Sequence, residues 1–165
     1  RFIEGKAMSF NGEFMKRAIE LAKNSVRDGT GPFGAVIVKN GEIIAEGNNQ
    51  VTKNNDPSAH AEVVAIRNAC QLLNSFQIDE CELYTSCEPC PMCLGAIYWA
   101  RPKRVYYAAT KDDAARIGFD DSFIYKELQL SSNLRSIPML LMTDMRKQAN
   151  QAFDMWEQLT DKIEY

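Results

Sequence analysis

The chain has 165 residues, the size of one domain and long enough to bury a hydrophobic core. Hydrophobic residues make up 45% and charged residues 25% of the sequence, which is typical of a globular protein and argues against disorder. The 19 basic and 22 acidic residues give a net charge of −3, so the totals lack the basic excess that is usual in proteins that bind nucleic-acid phosphates.

The five cysteines bear on the compartment in which the protein works. Cys87, Cys90 and Cys93 follow one another at intervals of three, a crowded spacing that suits structural disulfides poorly. The longest apolar run, residues 139–142, is far too short to span a membrane, and no secretory pattern is visible. We therefore expect a cytoplasmic protein. Residues 1–7 precede a methionine, and we expect them to be sequence left by expression or processing, outside a single domain of residues 8–165.

The first predicted elements are a helix and a β-hairpin. Apolar residues recur at helical spacing over residues 12–26, which predicts an amphipathic helix. A β-branched run at 35–38 and an apolar run at 43–45 lie on either side of Asn40-Gly41. An Asn-Gly pair between two such runs is a strong signal for a tight hairpin turn.

Strands and helices alternate through the rest of the chain. In order, we predict a polar loop at 47–57, a helix at 60–70, a strand at 81–85, a helix at 91–100, a strand at 104–109, a strand at 137–143 and a helix at 144–159. This order predicts an α/β fold with three layers, α-β-α. Its central mixed sheet has about five strands, opens with a hairpin and is covered by helices on both faces.

One group of residues carries the chemistry. The only histidine of the chain lies in His60-Ala61-Glu62, and about 30 residues later Cys90 and Cys93 form a Cys-x-x-Cys pair. Imidazole nitrogen and thiolate sulfur are both good zinc ligands. Three protein ligands leave the fourth tetrahedral position for water, whose pKa zinc lowers to about 7. Glu62 need not be a ligand and is free to move the proton of such a water.

The spacing restricts where these side chains must lie. Residues two apart on a regular helix point about 200° apart, so His60 and Glu62 meet one metal only from the first turn of a helix. Cys90 reads as a helix N-cap, with Pro91 at the first helical position and Cys93 one turn on. Two helix starts would then converge on one ion, and their free amides favour thiolates there.

Other interpretations of the same residues remain open at this point. Cys-x-x-Cys pairs also occur as redox pairs, and a lone histidine is usually a packed core residue. Cys87 would complete a closed Cys3His structural site, in which Glu62 has no role. We favour the open catalytic site, because His-x-Glu followed by Pro-Cys-x-x-Cys is the signature of zinc-dependent deaminases.

At these motifs the sequence resembles the cytidine-deaminase superfamily, and within it the branch of tRNA adenosine deaminases and guanine deaminases. The resemblance runs from about residue 12 to the last residue and is carried by residues 31–38, 56–62 and 85–97. The segments that are similar to guanine deaminases in particular are Ile-Gly-Phe-Asp-Asp-Ser-Phe-Ile-Tyr-Lys-Glu at 117–127, Tyr-Trp-Ala-Arg-Pro-Lys at 98–103 and the terminal Glu-Tyr.

The resemblance implies a function and a set of roles. It implies a cytidine-deaminase-like fold and zinc-dependent hydrolysis of guanine to xanthine and ammonia, with one zinc per chain. The implied roles are zinc ligation by His60, Cys90 and Cys93, proton transfer by Glu62, assistance at the leaving amine by Asp121, hydrogen bonding to the purine by Asn49 and contact with the base by Phe33 and Trp99. It also implies a homodimer with exchanged C-terminal segments, in which Tyr165 closes the partner's site.

Without the resemblance, several of these residues have ordinary explanations. Asp121 would be a solvated acidic turn residue, Asn49 a loop residue, Phe33 and Trp99 core residues and Tyr165 a frayed end. Two related activities also stay open, deamination of guanosine and of adenosine in tRNA, although the acidic balance and the lack of a basic C-terminal helix argue against a nucleic-acid substrate.

Overall fold

The computed structural model describes residues 10–165, so residues 1–7 lie outside the described part of the chain. The described chain forms two compact units, one that ends at Asp121 and one that spans Ser122–Tyr165. The first unit contains all the strands. Its elements are α1 (Gly12–Arg27), β1 (Gly34–Lys39), β2 (Glu42–Asn48), α2 (Val51–Asn54), α3 (Ala61–Leu73), β3 (Cys81–Cys87), α4 (Pro91–Ala100), β4 (Arg104–Ala109) and α5 (Lys111–Arg116).

The strands form one mixed sheet in the order β2-β1-β3-β4. β1 pairs antiparallel with both β2 and β3, whereas β3 and β4 run parallel. The turn between β1 and β2 has positive φ angles of 51° at Asn40 and 79° at Gly41, which is why Asn-Gly suits it. The predicted opening hairpin and mixed sheet are confirmed, but the sheet has four strands instead of about five.

Helices cover both faces of this sheet, as predicted. On one face Ala35 and Ile37 of β1 pack with Ala61 and Ala65 of α3 in a buried cluster. On the other face Val36 and Val38 pack with Met15 and Ala18 of α1. Because successive side chains of a strand point to opposite faces, β1 contributes to two apolar layers and reads as a continuous apolar run.

Two glycines allow the helices to lie close to the sheet. A Cβ atom at Gly34 would be 2.3 Å from the carbonyl oxygen of Ala18 in α1, and a Cβ at Gly47 would be 2.4 Å from the carbonyl oxygen of Ala61 in α3. A side chain at either position would therefore collide with the backbone of the neighbouring helix. Gly47 in this way seats the first turn of α3 directly on β2.

The second unit is helical. It contains α6 (Ser122–Leu128), short 3-10 helices at Ser132–Leu134 and Thr143–Met145, and α7 (Arg146–Gln158). The predicted strand at 137–143 is wrong: this segment is irregular and enters the second 3-10 helix. A strand needs a partner strand, this unit contains none, and Pro138 lacks the backbone N–H that a ladder uses. The predicted last helix is confirmed as α7.

One loop also differs from expectation. The predicted polar loop at 47–57 begins as the end of β2 and then contains the single-turn helix α2. Asn55 ends α2 in the left-handed conformation with φ 51°, which asparagine tolerates well. Among the described residues, no helix has both the length and the apolar character needed to cross a membrane.

Candidate metal centre and catalytic site

The site is built at the starts of α3 and α4. His60 is the N-cap of α3 with extended backbone, φ −70° and ψ 156°, and Glu62 lies in the first turn. Cys90 is the N-cap of α4 with nearly the same backbone, φ −69° and ψ 169°, and Pro91 starts that helix. The placement predicted from the spacing is confirmed: neither N-cap uses its side chain to cap its helix, so both side chains are available to a shared ligand.

The three candidate ligand atoms lie together. His60 Nδ1 is 3.5 Å from the sulfur of Cys90 and 3.5 Å from the sulfur of Cys93. All three ligand atoms lie within 4.8 Å of one another. Zn–N bonds of 2.0–2.1 Å and Zn–S bonds of 2.3 Å at tetrahedral angles would separate nitrogen from sulfur by about 3.5 Å. The residues therefore fit one zinc ion per chain.

The protonation of the two cysteines is uneven in this arrangement. Hydrogen bonding from Cys93, and then from His60, lowers the pKa of the Cys90 thiol to about 4. The same bond to Cys90, together with burial, raises the pKa of Cys93. Hydrogen bonding with Cys90 also raises the pKa of His60. One thiolate is thus already stabilised beside the imidazole, which is the form that binds metals.

Glu62 lies beside this group but is not part of it. Its side chain is buried, and the residue is 6% exposed. Burial raises the pKa of its carboxyl group, partly opposed by hydrogen bonding with Cys93 and by the charge of His60. The Glu62 carboxyl group lies next to the candidate ligands and has a raised pKa. It is therefore suited to accept and return a proton.

Cys87 is not placed as a fourth ligand. Among the described residues, the group able to hold a metal contains only the histidine and the other two cysteines. The Cys87 thiol donates instead to the carbonyl of Thr110, with a sulfur–oxygen distance of 3.6 Å. Burial raises the pKa of this thiol to about 11. The closed Cys3His site therefore lacks its fourth ligand in this structure.

Asn49 and Phe33 lie on neighbouring backbone segments. The backbone N–H of Asn49 donates to the carbonyl of Phe33 at 3.2 Å, and Asn49 is 6% exposed. The Phe33 ring meets the ring of Phe119 edge to face, with centroids 5.1 Å apart and planes at 88°. Phe33 is half-buried, so part of its ring surface is accessible.

The other three predicted residues differ in their surroundings. Burial raises the pKa of the Asp121 carboxyl group, and the negative charge of Cys90 raises it further. Trp99 lies on α4 and is 61% exposed. Tyr165 belongs to the second unit and is 70% exposed. The catalytic and substrate-contacting roles of these residues stay predictions.

Sequence reasoning missed residues that support the site without touching a metal. Gly47 seats α3 on β2, and a glycine inside a strand pattern is the usual sign of such a close approach. Ser25 is fully buried near the end of α1, where nothing in the local pattern marks a buried hydroxyl. Thr110 and Asp113 form a capping box at α5, which the Thr-x-x-Asp spacing resembles.

Comparison with known proteins agrees with this geometry. Residues 8–109 match the family described as the cytidine and deoxycytidylate deaminase zinc-binding region. That stretch covers more than half of the chain and contains all three candidate ligands. The chain therefore belongs to this family of zinc-binding deaminases.

Two relatives of known activity within this family are similar to the chain to different extents. The chain is 59% identical over 153 residues to the guanine deaminase of Bacillus subtilis (strain 168), covering 92% of this chain and 97% of that protein. It is 45% identical over 96 residues to a tRNA-specific adenosine deaminase of Aquifex aeolicus (strain VF5), covering 58% of this chain and 64% of that protein.

Two solved structures of guanine deaminases resemble the chain. The X-ray structure of the guanine deaminase from Bacillus subtilis has a TM-score of 0.90 and 58% identity, and the match covers 94% of this chain and 99% of that one. A guanine deaminase structure from Nitrosomonas europaea has a TM-score of 0.63 and 35% identity, covering 66% of this chain and 63% of that one.

Proposed function

We propose that the chain hydrolyses guanine to xanthine and ammonia. The observation that carries the proposal is the extent of the similarity. The match to a guanine deaminase covers 92% of this chain, whereas the match to the tRNA-specific adenosine deaminase of Aquifex aeolicus covers 58%. The metal-binding region alone does not separate the two substrates, and a tRNA-specific adenosine deaminase of Haemophilus influenzae matches 76% of this chain, but at 36% identity. The higher identity of 59% to a guanine deaminase, over nearly the whole chain, favours guanine.

In the proposed reaction, the residues of the chain hold the metal and move protons. His60, Cys90 and Cys93 would hold zinc, which when bound would supply a Lewis acid that makes a water easier to deprotonate. Glu62 accepts a proton from the attacking water as the oxygen joins C2 of the base, and it passes that proton to the adjacent ring nitrogen.

The leaving group needs a proton as well. An amine departs readily only when protonated, so Glu62 and Asp121 together move the second proton of the added water from its oxygen to the 2-amino group. The C2–N bond then breaks, C2=O forms and ammonia leaves. Asp121 supports this role because burial raises the pKa of its carboxyl group, which helps it to hold a proton. Asn49 hydrogen-bonds the base, and Phe33 and Trp99 contact its ring.

A homodimer with exchanged C-terminal segments is part of the proposal. None of the described side chains in Ser122–Tyr165 is buried, and apolar residues such as Leu140 and Leu141 are 70% and 77% exposed. Such a surface is unusual for a monomer and typical of an interface. In this dimer residues 8–165 form one deaminase domain, and Tyr165 closes the partner's site. Cytoplasmic location remains a prediction from the cysteine pattern.

A substrate panel tests the activity. Purified protein is incubated with guanine, guanosine, adenine and cytosine, and ammonia release is measured, while inosine formation is measured in tRNA. We expect ammonia from guanine at a rate well above that from every other compound. Preferential inosine formation in tRNA, or faster release from guanosine, would replace the proposed substrate while leaving the deaminase family unchanged.

A further inference from the structure

The amide group of Asn49 is held in one orientation. The backbone N–H of Val51 donates to Asn49 Oδ1 at 3.1 Å. Because that N–H can only donate, it must face the amide oxygen and not the amide nitrogen. The Asn49 oxygen therefore already accepts one hydrogen bond within the protein, which fixes the amide group so that its NH2 group is turned the other way and can donate to a ligand.

A pair of hydroxyl groups lies behind Asn49. Ser25 Oγ is within hydrogen-bond distance of Thr30 Oγ1 and 3.4 Å from the backbone carbonyl oxygen of Asn49. Each hydroxyl has one proton, so when Thr30 Oγ1 donates to Ser25 Oγ, the Ser25 proton is left for the carbonyl of Asn49. The carbonyl of Ser25 lies 2.9 Å from Thr30 Oγ1 and accepts from the Thr30 backbone N–H at 2.9 Å. We refer to Ser25 and Thr30 as the hydroxyl pair.

The residue that follows the hydroxyl pair in the chain lies against the amide nitrogen of Asn49. Gly31 follows Thr30 directly, and a Cβ atom at Gly31 would be 3.1 Å from Asn49 Nδ2. The backbone at Gly31 therefore lies close beside the amide group. Ser25 of the hydroxyl pair thus contacts the carbonyl oxygen of Asn49. The next residue of the same loop, Gly31, borders the side-chain amide of Asn49.

Among the described residues, the buried hydroxyl of Ser25 makes its hydrogen bonds only with Thr30 and with the carbonyl of Asn49. The residue is fully buried near the end of α1, among positions otherwise filled by Ala18 and Ala22. A buried hydroxyl costs free energy unless it is hydrogen-bonded, and alanine would fill a similar volume without that requirement. It also lies outside the set of residues that hold the metal.

We propose that the hydroxyl pair of Ser25 and Thr30 positions Asn49, so that its NH2 group points at a hydrogen-bond acceptor of the purine base. This inference rests on the proposed function, in which Asn49 contacts the base. The pair acts through Asn49 and touches neither the base nor the metal. Its loss should therefore weaken substrate binding and leave the chemical step intact.

The first test removes each hydroxyl. Ser25→Ala and Thr30→Val should each raise KM for guanine by roughly three- to tenfold, the value of one hydrogen bond. The kcat value should stay within about twofold, because binding and not the transition state is affected. Zinc content should stay at that of the unaltered chain. Thr30→Ser keeps the hydroxyl and is the matched control, with KM unchanged.

The second test asks whether the pair acts through Asn49. In an Asn49→Ala background, adding Ser25→Ala should raise KM no further, because the group that the pair positions is already gone. Effects on KM that multiply would mean a general structural role and would overturn the proposal. Thr30→Val, at a half-buried position, serves the same cycle if Ser25→Ala does not fold.

The contact of Asn49 with the base and the positioning of Asn49 by the hydroxyl pair can be tested separately. If Asn49→Ala alone leaves KM unchanged, the proposed contact of Asn49 with the base is wrong, and the positioning role falls with it. If Asn49→Ala raises KM while Ser25→Ala and Thr30→Val leave it unchanged, only the positioning role is wrong, and the proposed function of Asn49 stands.

Discussion

The two compact units of the chain differ in how they treat their apolar side chains. The unit that ends at Asp121 buries two apolar clusters, one on each face of its sheet, and holds every candidate metal ligand at a helix start. The unit Ser122–Tyr165 buries none of its side chains. The first unit thus contains the means to stabilise itself and to place reacting groups, whereas the second exposes surface that is typical of an interface.

The two units also differ in which relatives they resemble. The metal-binding part of the first unit is shared with deaminases that act on different substrates, so it determines the type of reaction. The similarity to guanine deaminase extends over the second unit as well, since it covers 92% of the chain. We therefore expect changes in the first unit to affect chemistry and folding, and changes in the second to affect assembly and, through Tyr165, closure of the partner's site.

The largest expected effect is at Glu62. Glu62→Ala should lower kcat by about 10²–10⁴-fold or more, because proton transfer by a positioned side chain contributes that much. Zinc content should be unchanged, since Glu62 is not one of the three candidate ligands. Glu62→Gln, which keeps the shape, should be equally inactive. Steady-state kinetics and elemental analysis check this, and wild-type turnover in either variant would remove the assigned role.

A large effect on stability is expected at Gly47. Gly47→Ala places a Cβ 2.4 Å from a backbone oxygen of α3 and should lower the free energy of unfolding by about 1–3 kcal/mol. Gly95 on α4 is the matched control, because a Cβ there meets nothing within 4 Å. Gly95→Ala should be neutral or stabilise by up to about 1 kcal/mol. Equal denaturant midpoints for the two variants would contradict the close packing of β2 and α3.

A surface substitution tests the contrast between the units directly. Leu141 in the second unit is 77% exposed and Leu72 in the first unit is 64% exposed, so both side chains are mostly accessible to solvent. If the second unit forms a dimer interface, Leu141→Lys should shift the protein toward monomer in sedimentation experiments, and Leu72→Lys should not. A monomeric wild-type chain, or identical behaviour of both variants, would break the proposed distinction.

The smallest expected effect concerns an ion pair in the first unit. Arg17 donates to Glu46 at 2.9 Å, and this hydrogen bond lowers the pKa of Glu46 from its usual 4.5. A lowered pKa stabilises the fold above pH 4.5, and that contribution is lost as the pH falls through the lower folded value. Arg17→Gln should therefore cost less than about 1 kcal/mol at neutral pH, because the pair is partly exposed.

The pH dependence supplies the check for this ion pair. The difference in free energy of unfolding between wild type and Arg17→Gln should shrink steadily below pH 4.5 as Glu46 is protonated. Urea unfolding at several pH values measures it. A difference that stays constant down to pH 3 would mean that Arg17 stabilises through its aliphatic stem and not through its charge.

Much of the first unit could be predicted from the sequence, because its signals are local. Asn40-Gly41 requires positive φ angles and so marks the hairpin, and Pro91 after Cys90 marks a helix start. The spacing of His60 and Glu62 confines them to a first helical turn. These features depend on a few neighbouring residues and are visible without the fold.

What could not be predicted depends on distant contacts. The apolar run at 137–143 has the composition of a strand, but a strand exists only where another strand can pair with it, and the run itself carries no information on that. Likewise, Ser25 and Asn49 are 24 residues apart, and their contact arises from the packing of α1 against the sheet. The substrate-contacting roles of Trp99 and Tyr165 cannot be judged from local patterns either.

The most direct test of the account is the dependence of guanine deamination on zinc. Elemental analysis of the purified chain should give one zinc per chain, removal by a chelator should abolish ammonia release, and added zinc should restore it. His60→Ala should lose both metal and activity. Full activity in metal-free protein, or zinc retained at full occupancy by His60→Ala, would contradict a site built on one imidazole and two thiolates.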